Sequence, residues 1–398
     1  MTETSRERLL KSFRGEKPDR VPVTLFVADQ GHFINQLWPE IDPWDTQTLQ
    51  LKVIEFCKEL GCDVFLRVLY GLDDPIHIIY GGLDVTHETD TWQVDTEEIQ
   101  RGTTMVHRST IHTPKGTLTQ DFSVNEIRPG TLMYACTKKP IETMEDLEIA
   151  MEYEPPMPKS YPEHARNYLA PLKEALGDDG VIGTWSPMGP YNNCSLLYEL
   201  DELYTVFLTD PGFYEKLIAF AMERAKPYAR AIDEAGVDVH CIGGNVPGGF
   251  LGRRTYDRYI LSYEKEYIDF IQANGTPAMY HNCGDVMNLI ESYKELGAKI
   301  VEPFSPPPTL GDADHAKAVE VIRGDYVVLL GVDHVNVLQN GTVDEVRRVT
   351  EETMRIGKLP VQRGRFIIQS ADFLEYGTPV ENVEAYVETA LEHAEYDW

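Results

Sequence analysis

Cysteine, positive charge and long apolar runs are all scarce in this sequence of 398 residues. Its six cysteines are scattered and none forms a CxxC pair, so a disulfide framework is not expected. No stretch approaches the ~18 apolar residues of a membrane-spanning helix, and the N-terminal stretch lacks the apolar core of a signal peptide. The sequence therefore predicts no membrane association and a cytoplasmic location.

Basic residues are outnumbered, since 36 Lys and Arg stand against 65 Asp and Glu and the formal charge is −29. Nucleic acid is not expected as a partner, because phosphate contacts need clustered basic side chains. The composition does support a large core, with 42% hydrophobic residues and 10% aromatics. The length suits one large α/β barrel with an insertion, or two ordinary domains.

Short apolar runs alternate with amphipathic segments along the chain. Eight runs are bounded by turn signals, as buried parallel strands are: 21–27, 63–68, 181–186, 238–244, 277–281, 299–304, 326–332 and 366–370. Between them, segments such as Thr255–Asn274 place their apolar residues on one helical stripe. This alternation predicts an α/β fold, a (β/α)8 TIM barrel formed as a single domain by residues 1–398.

One region departs from the alternation. Residues 82–136 carry alternating polar and β-branched side chains, and Pro114–Gly116 has the composition of a turn between two such stretches. We therefore expect a β-hairpin insertion after strand 2 of the barrel.

Chemistry in such barrels takes place at the carboxyl ends of the strands, which limits the candidates. The catalytic candidates follow strands 5, 6 and 7, and they are His281, Cys283, Glu302, Asp333 and His334. The candidates for substrate binding follow strands 1 to 4, and they are His32, Arg67, Trp185, Met188 and Asn245.

His281 and Cys283 are the first candidates for metal binding. Residues two apart in an extended segment point to the same side, so an imidazole and a thiolate can converge on one ion. Donors of these two types favour zinc. Glu302, at the end of the neighbouring strand, and Asp372, beyond strand 8, are candidates for a third ligand. The alternative is a hydrogen-bonded rim histidine beside a small buried cysteine.

Several motifs together carry a family resemblance. The segments Gly275–Gly284, Gly331–Asp333 and Gly377–Val383 resemble landmarks of the uroporphyrinogen decarboxylase superfamily in their order and spacing, most of all its cobalamin-dependent methyltransferase branch. That branch carries His-x-Cys-Gly at the end of a barrel strand, and His281 and Cys283 match its zinc ligands. The family fold is a (β/α)8 barrel, which agrees with the strand count.

Two departures from the family pattern refine this resemblance. The decarboxylase branch holds substrate carboxylates with a pair of arginines that Val27–His32 lacks, so decarboxylation is disfavoured. The third zinc ligand of the methyltransferase branch is usually a cysteine, and Asp372 occupies its position here. An oxygen ligand leaves zinc a stronger Lewis acid, which favours polarising an ether or alcohol oxygen over activating a thiol.

The resemblance thus implies a zinc-dependent methyltransferase, the O-demethylase component of a larger system. It would move a methyl group from a small methoxylated substrate, aromatic or not, to a corrinoid (cobalamin) carried by a partner protein. Three alternatives stay open: methyl transfer from methylcobalamin to a thiol such as coenzyme M, a decarboxylase-like reaction, and a non-catalytic barrel that binds a tetrapyrrole or corrinoid. A homodimer is also left open.

Overall fold

A parallel sheet forms the centre of the molecule. The computed structural model describes residues 2–28, 32–68, 82–128, 131–185, 187–244, 246, 248–308 and 311–398. The parallel strands are Val64–Val68 (β1), Gly180–Thr184 (β6), Val239–Gly244 (β7), Ala278–Asn282 (β8), Ile300–Glu302 (β9), Val327–Val332 (β10) and Phe366–Ser370 (β11). They pair in this order from β1 to β11, which is the succession expected of βα units.

The first predicted barrel strand, residues 21–27, is extended but is not a regular strand of this sheet. On one side the Thr24 N–H donates 3.0 Å to a carbonyl of β11, and on the other the Asp63 N–H donates 2.8 Å to the Val23 carbonyl. Pro22 has no N–H, and the Val23 N–H is bound by the Asp63 carboxylate at 2.9 Å instead of by backbone. The sheet therefore has seven paired strands where eight are predicted, curled so that both edges meet this segment.

The region between β1 and β6 folds into a separate antiparallel sheet. Its four strands are Gln93–Arg101 (β2), Thr104–Thr113 (β3), Gly116–Arg128 (β4) and Thr131–Lys138 (β5), paired in chain order. β3 and β4 meet at the tight turn where Thr113 pairs with Gly116. β2 and β5 continue the pairing outward on both sides, so this region has four strands where a two-stranded hairpin is predicted.

Helices pack around the two sheets. They are Ser5–Phe13 (α1), His32–Leu37 (α2), Thr46–Leu60 (α3), Met144–Tyr153 (α4), Tyr161–Leu176 (α5), Pro190–Leu197 (α6), Leu200–Thr209 (α7), Pro211–Ala235 (α8), Gly248–Tyr259 (α9), Leu261–Gln272 (α10), Ile290–Leu296 (α11), His315–Ile322 (α12), Val343–Gly357 (α13) and Val380–Glu392 (α14), with a π-helical turn at His334–Gln339 and a 3₁₀ turn at Pro360–Gln362. In the described ranges, no helix is long and apolar enough to cross a membrane.

The segment 255–274, predicted as one helix, is interrupted. α9 ends at Tyr259 and α10 begins at Leu261, because the φ of −119° at Ile260 departs from the helical value of about −63°. Ile260 is fully buried. The break turns the chain so that both helices keep their apolar faces on the core, which a single straight stripe does not reveal.

α10 carries a buried carboxyl group. Glu264 is 0% exposed, and one of its oxygens accepts from the Tyr191 N–H at 3.0 Å. Its other oxygen has no hydrogen-bond partner within the described part of the chain. Burial raises the pKa of Glu264 to about 7, against the lowering effect of the Tyr191 N–H.

A Glu264→Gln variant should therefore change how stability depends on pH. The raised pKa means that the carboxyl contributes fully to stability below its ordinary pKa of 4.5 and that this contribution is lost as the pH rises through about 7. We expect the variant to become more stable than wild type by about 3 kcal/mol across this window, measured by urea unfolding. Glu266→Gln, an exposed change on the same helix, is the control. Parallel curves for Glu264→Gln and wild type would contradict the prediction.

Candidate functional site

A polar layer lies on the inner face of the sheet, directly above an apolar layer. The apolar layer includes Phe65, Met279, Ile300 and Ile367 from four strands. Side chains alternate along a strand, so the residue two positions further points the same way. Those residues are Arg67, His281, Glu302 and Gln369, all of them buried. The strand period thus places four polar side chains at one level, near the carboxyl ends where barrel chemistry takes place.

Two glycines on the neighbouring strands make room for this layer. A Cβ at Gly183 would lie 2.7 Å from the Phe65 ring, and a Cβ at Gly243 would lie 2.4 Å from the His281 carbonyl oxygen. Any larger residue at either position would push against the strands that hold the polar side chains.

Glu302 is the centre of the buried network. Its two carboxylate oxygens accept from the Arg67 guanidinium at 2.6 Å each, in the bidentate geometry that arginine favours. Gln369 Nε2 donates to Glu302 at 2.8 Å, and His281 Nδ1 lies 2.9 Å from it. Burial alone would raise the pKa of Glu302, but Arg67 and His281 outweigh it and lower the pKa to about 2. Glu302 is therefore a carboxylate at neutral pH.

His281 is oriented by this carboxylate. β8 and β9 pair His281 directly with Glu302, which brings the Nδ1 atom against the carboxylate. Burial acts to lower the pKa of His281, but its interactions with Cys283 and Glu302 outweigh burial and raise the pKa to about 10. Since Nδ1 is engaged by Glu302, Nε2 is the nitrogen available to a metal ion. A carboxylate behind a ligating histidine is the usual device that fixes its tautomer and ring orientation.

Three possible metal-ligand atoms lie close together here: one nitrogen, which belongs to His281, one sulfur and one oxygen. His281, Cys283 and Asp372, which we call the donor group, each offer a ligand atom, and these three atoms lie within 4.8 Å of one another. His281 is buried, while Cys283 and Asp372 are partly exposed. Zinc bonds of about 2.0–2.3 Å hold tetrahedral ligand atoms roughly 3–4 Å apart, so small side-chain shifts would close the group on an ion. The residues present therefore fit a zinc ion with one position left open.

Glu302 and Arg67 have other roles than the sequence predicts. Glu302 is absent from the donor group and lies behind His281, with its oxygens bound by Arg67, Gln369 and His281. The Arg67 guanidinium, predicted to bind substrate, is buried against Glu302 and the Phe65 ring. The sequence shows that Arg67 and Glu302 carry opposite charges near strand ends. It does not show that the two side chains pair across the sheet.

Asp333, predicted as catalytic, caps a helix instead. One of its oxygens accepts from the Val335 and Asn336 N–H groups at 2.9 and 2.7 Å, and the other accepts from Asn336 Nδ2 at 2.7 Å. This is the bonding of an N-cap residue, and it occupies both oxygens of the carboxylate. The adjacent His334 is buried, and its Nδ1 makes no hydrogen bond to any described residue. His334 therefore keeps a buried polar atom available, whereas the Asp333 carboxylate is held by the start of the π-helical turn.

An aromatic wall extends from the donor group. The Trp185 ring meets the His281 ring edge-on at 4.4 Å and stacks on Phe26 at 5.8 Å. Phe26 contacts Phe373 at 6.0 Å, and Phe373 contacts His32 at 4.5 Å. Trp185 Nε1 is buried and has no hydrogen-bond partner within the described ranges, whereas His32 Nδ1 lies 3.7 Å from a carboxylate oxygen of Glu375. Buried polar atoms are rarely left unpaired, so the Trp185 N–H is the polar atom that this wall offers to a ligand.

Met188 and Asn245 were also predicted to contact the substrate. Met188 is buried, and its carbonyl accepts from Asn193 Nδ2 at 2.7 Å, just before α6 begins. Asn245 lies outside the described residues. Gln369 was missed by sequence reasoning, because nothing in the run 366–370 marks it apart from a single polar residue among apolar ones.

One family model and several curated methyltransferases match parts of this chain. The model of the family described as uroporphyrinogen decarboxylase (URO-D) matches residues 126–393. A methylated-thiol–coenzyme M methyltransferase of Methanosarcina mazei is 24% identical over 185 residues, which are 46% of this chain and 46% of the relative. A methylcobamide:CoM methyltransferase of Methanosarcina acetivorans is 22% identical over 221 residues, 55% of this chain and 60% of the relative. The chain thus spans about half of the length of the curated relatives it matches.

A solved structure extends the likeness to the whole fold. A methyltransferase from Methanosarcina mazei aligns over 98% of this chain and 99% of its own, with a TM-score of 0.66 and 19% sequence identity. At this identity the match shows the fold, and the chemistry has to be argued from the site.

Proposed function

The chain belongs to the uroporphyrinogen decarboxylase family, and we propose that it is a zinc-dependent methyltransferase that works with a corrinoid-carrying partner protein. The observation that carries the proposal is the convergence of His281, Cys283 and Asp372 at the carboxyl ends of β8 and β11. The names of the curated relatives, which are cobamide and thiol methyltransferases, support the same reaction class.

A zinc ion held by these three residues would supply Lewis acidity toward an oxygen or sulfur atom of the substrate. The chain's own residues prepare that site. Glu302 holds the His281 ring through Nδ1, and Arg67 neutralises Glu302 so that the carboxylate can stay buried.

The substrate's remaining parts would meet the aromatic wall. Trp185 and Phe26 form a flat apolar surface that suits a small aromatic ring. The unpaired Nε1–H of Trp185 can donate to a substrate oxygen, and the buried His334 can exchange a proton through Nδ1. Because these groups are buried, they also exclude water from the bound substrate.

The donor set favours a methoxylated substrate as methyl donor. With only one thiolate among the protein ligands, less negative charge reaches the ion than in a site with two thiolates, so the ion polarises an ether oxygen more strongly. We therefore propose that methyl passes from a small methoxylated compound to the corrinoid. The second candidate is transfer from a methylated corrinoid to a thiol such as coenzyme M, which the names of the relatives favour.

The two directions can be separated in one series of assays. The purified, zinc-loaded protein is given reduced cobalamin with methoxylated aromatic compounds, or methylcobalamin with coenzyme M, and the cobalamin absorbance spectrum is followed. We expect methylcobalamin to appear in the first assay. Loss of methylcobalamin in the second assay alone would favour the thiol reaction. Turnover that is unchanged after zinc has been removed by a chelator would contradict the zinc-dependent mechanism.

A further inference from the structure

A cavity lies at the opposite end of the sheet from the donor group. It has a volume of about 230 Å³ and is lined by residues that precede β9, β10 and β11, together with the end of α1. Four basic side chains line it, namely Arg14, Lys294, Lys299 and Arg365, against the single carboxylate of Asp325. In a chain of net charge −29, this is a local reversal of sign.

Two of these basic groups have no acidic partner. Lys294 pairs with Asp325 at 3.1 Å, and Arg14 pairs with Glu16 at 3.0 Å. Arg365 donates only to backbone carbonyls, including that of Gly15 at 2.8 Å, and no carboxylate of the described residues pairs with it. Lys299 likewise forms no ion pair within the described ranges.

A buried hydroxyl group on the cavity lining points to a ligand independently. Tyr326 is 4% exposed, and its hydroxyl has no hydrogen-bond partner within the described part of the chain. Burial raises the pKa of Tyr326 well above its ordinary value, so the hydroxyl keeps its proton and can donate it in a hydrogen bond. An unpaired buried donor is unfavourable, and a hydrogen bond to an acceptor would remove that cost.

We propose that this cavity binds a phosphate group, either free inorganic phosphate or the terminal phosphate of a small metabolite. The backbone carbonyls of Gly15 and Gly324 hold the Arg365 guanidinium through Nε and Nη1, so Arg365 offers its Nη2 group to a phosphate oxygen, and Lys299 adds a charge. A small rotation of the buried Tyr326 ring would bring its hydroxyl to a phosphate oxygen as a donor. Gly15 lets the Arg365 side chain lie against the backbone, since a Cβ there would approach the guanidinium Nε to 3.2 Å. The site is separate from the donor group and does not depend on the proposed methyl transfer.

Isothermal titration calorimetry of the full chain at constant ionic strength tests the proposal. Inorganic phosphate and glucose 6-phosphate are the two probes, and they distinguish free phosphate from a phosphate monoester. We expect at least one to bind with a Kd below about 1 mM, and Lys299→Gln to weaken that binding about tenfold. Tyr326→Phe, which keeps the ring, should weaken it about threefold to tenfold.

Lys317→Gln, a change of another exposed lysine, which lies on α12 outside the cavity lining, is the control and should bind as wild type does. Circular dichroism confirms that the variants are folded. Absence of binding for both probes, or equal binding by wild type, Lys299→Gln and Tyr326→Phe, would overturn the proposal.

Discussion

A Cys283→Ala variant is expected to purify without zinc and to lose methyl transfer to cobalamin. Cys283 offers the only sulfur of the donor group, and its removal leaves an imidazole and one carboxylate, a poor set for zinc. Changes behind a metal ligand already cost about 10- to 100-fold in affinity or activity, so loss of a ligand should cost at least about a hundredfold. Metal content by mass spectrometry and the cobalamin assay measure both effects.

Cys136→Ala is the matched control for this prediction. Cys136 is a buried cysteine of the antiparallel sheet, far along the chain from the donor group. We expect this variant to keep zinc and activity, because its thiol packs in the antiparallel sheet and donates to the Lys138 carbonyl there. Full zinc content in Cys283→Ala would show that the ion is held elsewhere and would rule out the proposed site.

An Arg67→Met variant is expected to lose about 3–5 kcal/mol of unfolding free energy. The guanidinium is 1% exposed and forms two 2.6 Å hydrogen bonds to Glu302. Without it, Glu302 would stay in the sheet interior as a buried charge that His281 and Gln369 only partly balance. Arg67 also lies over the Phe26 ring at 4.2 Å, so its removal costs packing as well. Urea unfolding at neutral pH measures the loss.

Two further variants sharpen the Arg67 experiment. Arg347→Met removes an exposed pair with Glu388 and should change stability by less than about 1 kcal/mol. Arg67→Met combined with Glu302→Gln should recover part of the loss, because no buried charge is then left unpaired. If Arg67→Met alone were as stable as Arg347→Met, the buried pair would have no stabilising role.

The alternation of strands and helices could be predicted because each element is short and locally coded. Seven of the eight apolar runs overlap the paired strands of the parallel sheet. The first run, 21–27, was harder to assign, because its pairing depends on the side chain of Asp63, far along the chain. The break at Ile260 was also missed, since both halves share one hydrophobic period.

In the donor group, too, some features could be predicted from the sequence and others could not. His281 and Cys283 were identifiable because the two-residue strand period places them on one side of a single segment. Asp372 was a candidate from its position beyond strand 8, and the family resemblance then placed it at the third-ligand position, but the sequence could not choose between Asp372 and Glu302. The contacts of Glu302 and Asp333 could not be predicted, because carboxylates at strand ends are alike in sequence and only the tertiary structure distinguishes them.

The sequence by itself determined the order of strands and helices, the acidic surface and the two neighbouring metal-ligand candidates, since all of these depend on composition and short-range periodicity. Only the tertiary structure decided which charges are buried together. Arg67, Glu302 and Gln369 come from strands more than 60 residues apart, and they meet because the curled sheet brings β1, β9 and β11 to one interior. Burial in that interior removes water as a competitor, which turns three separate polar residues into one network behind His281.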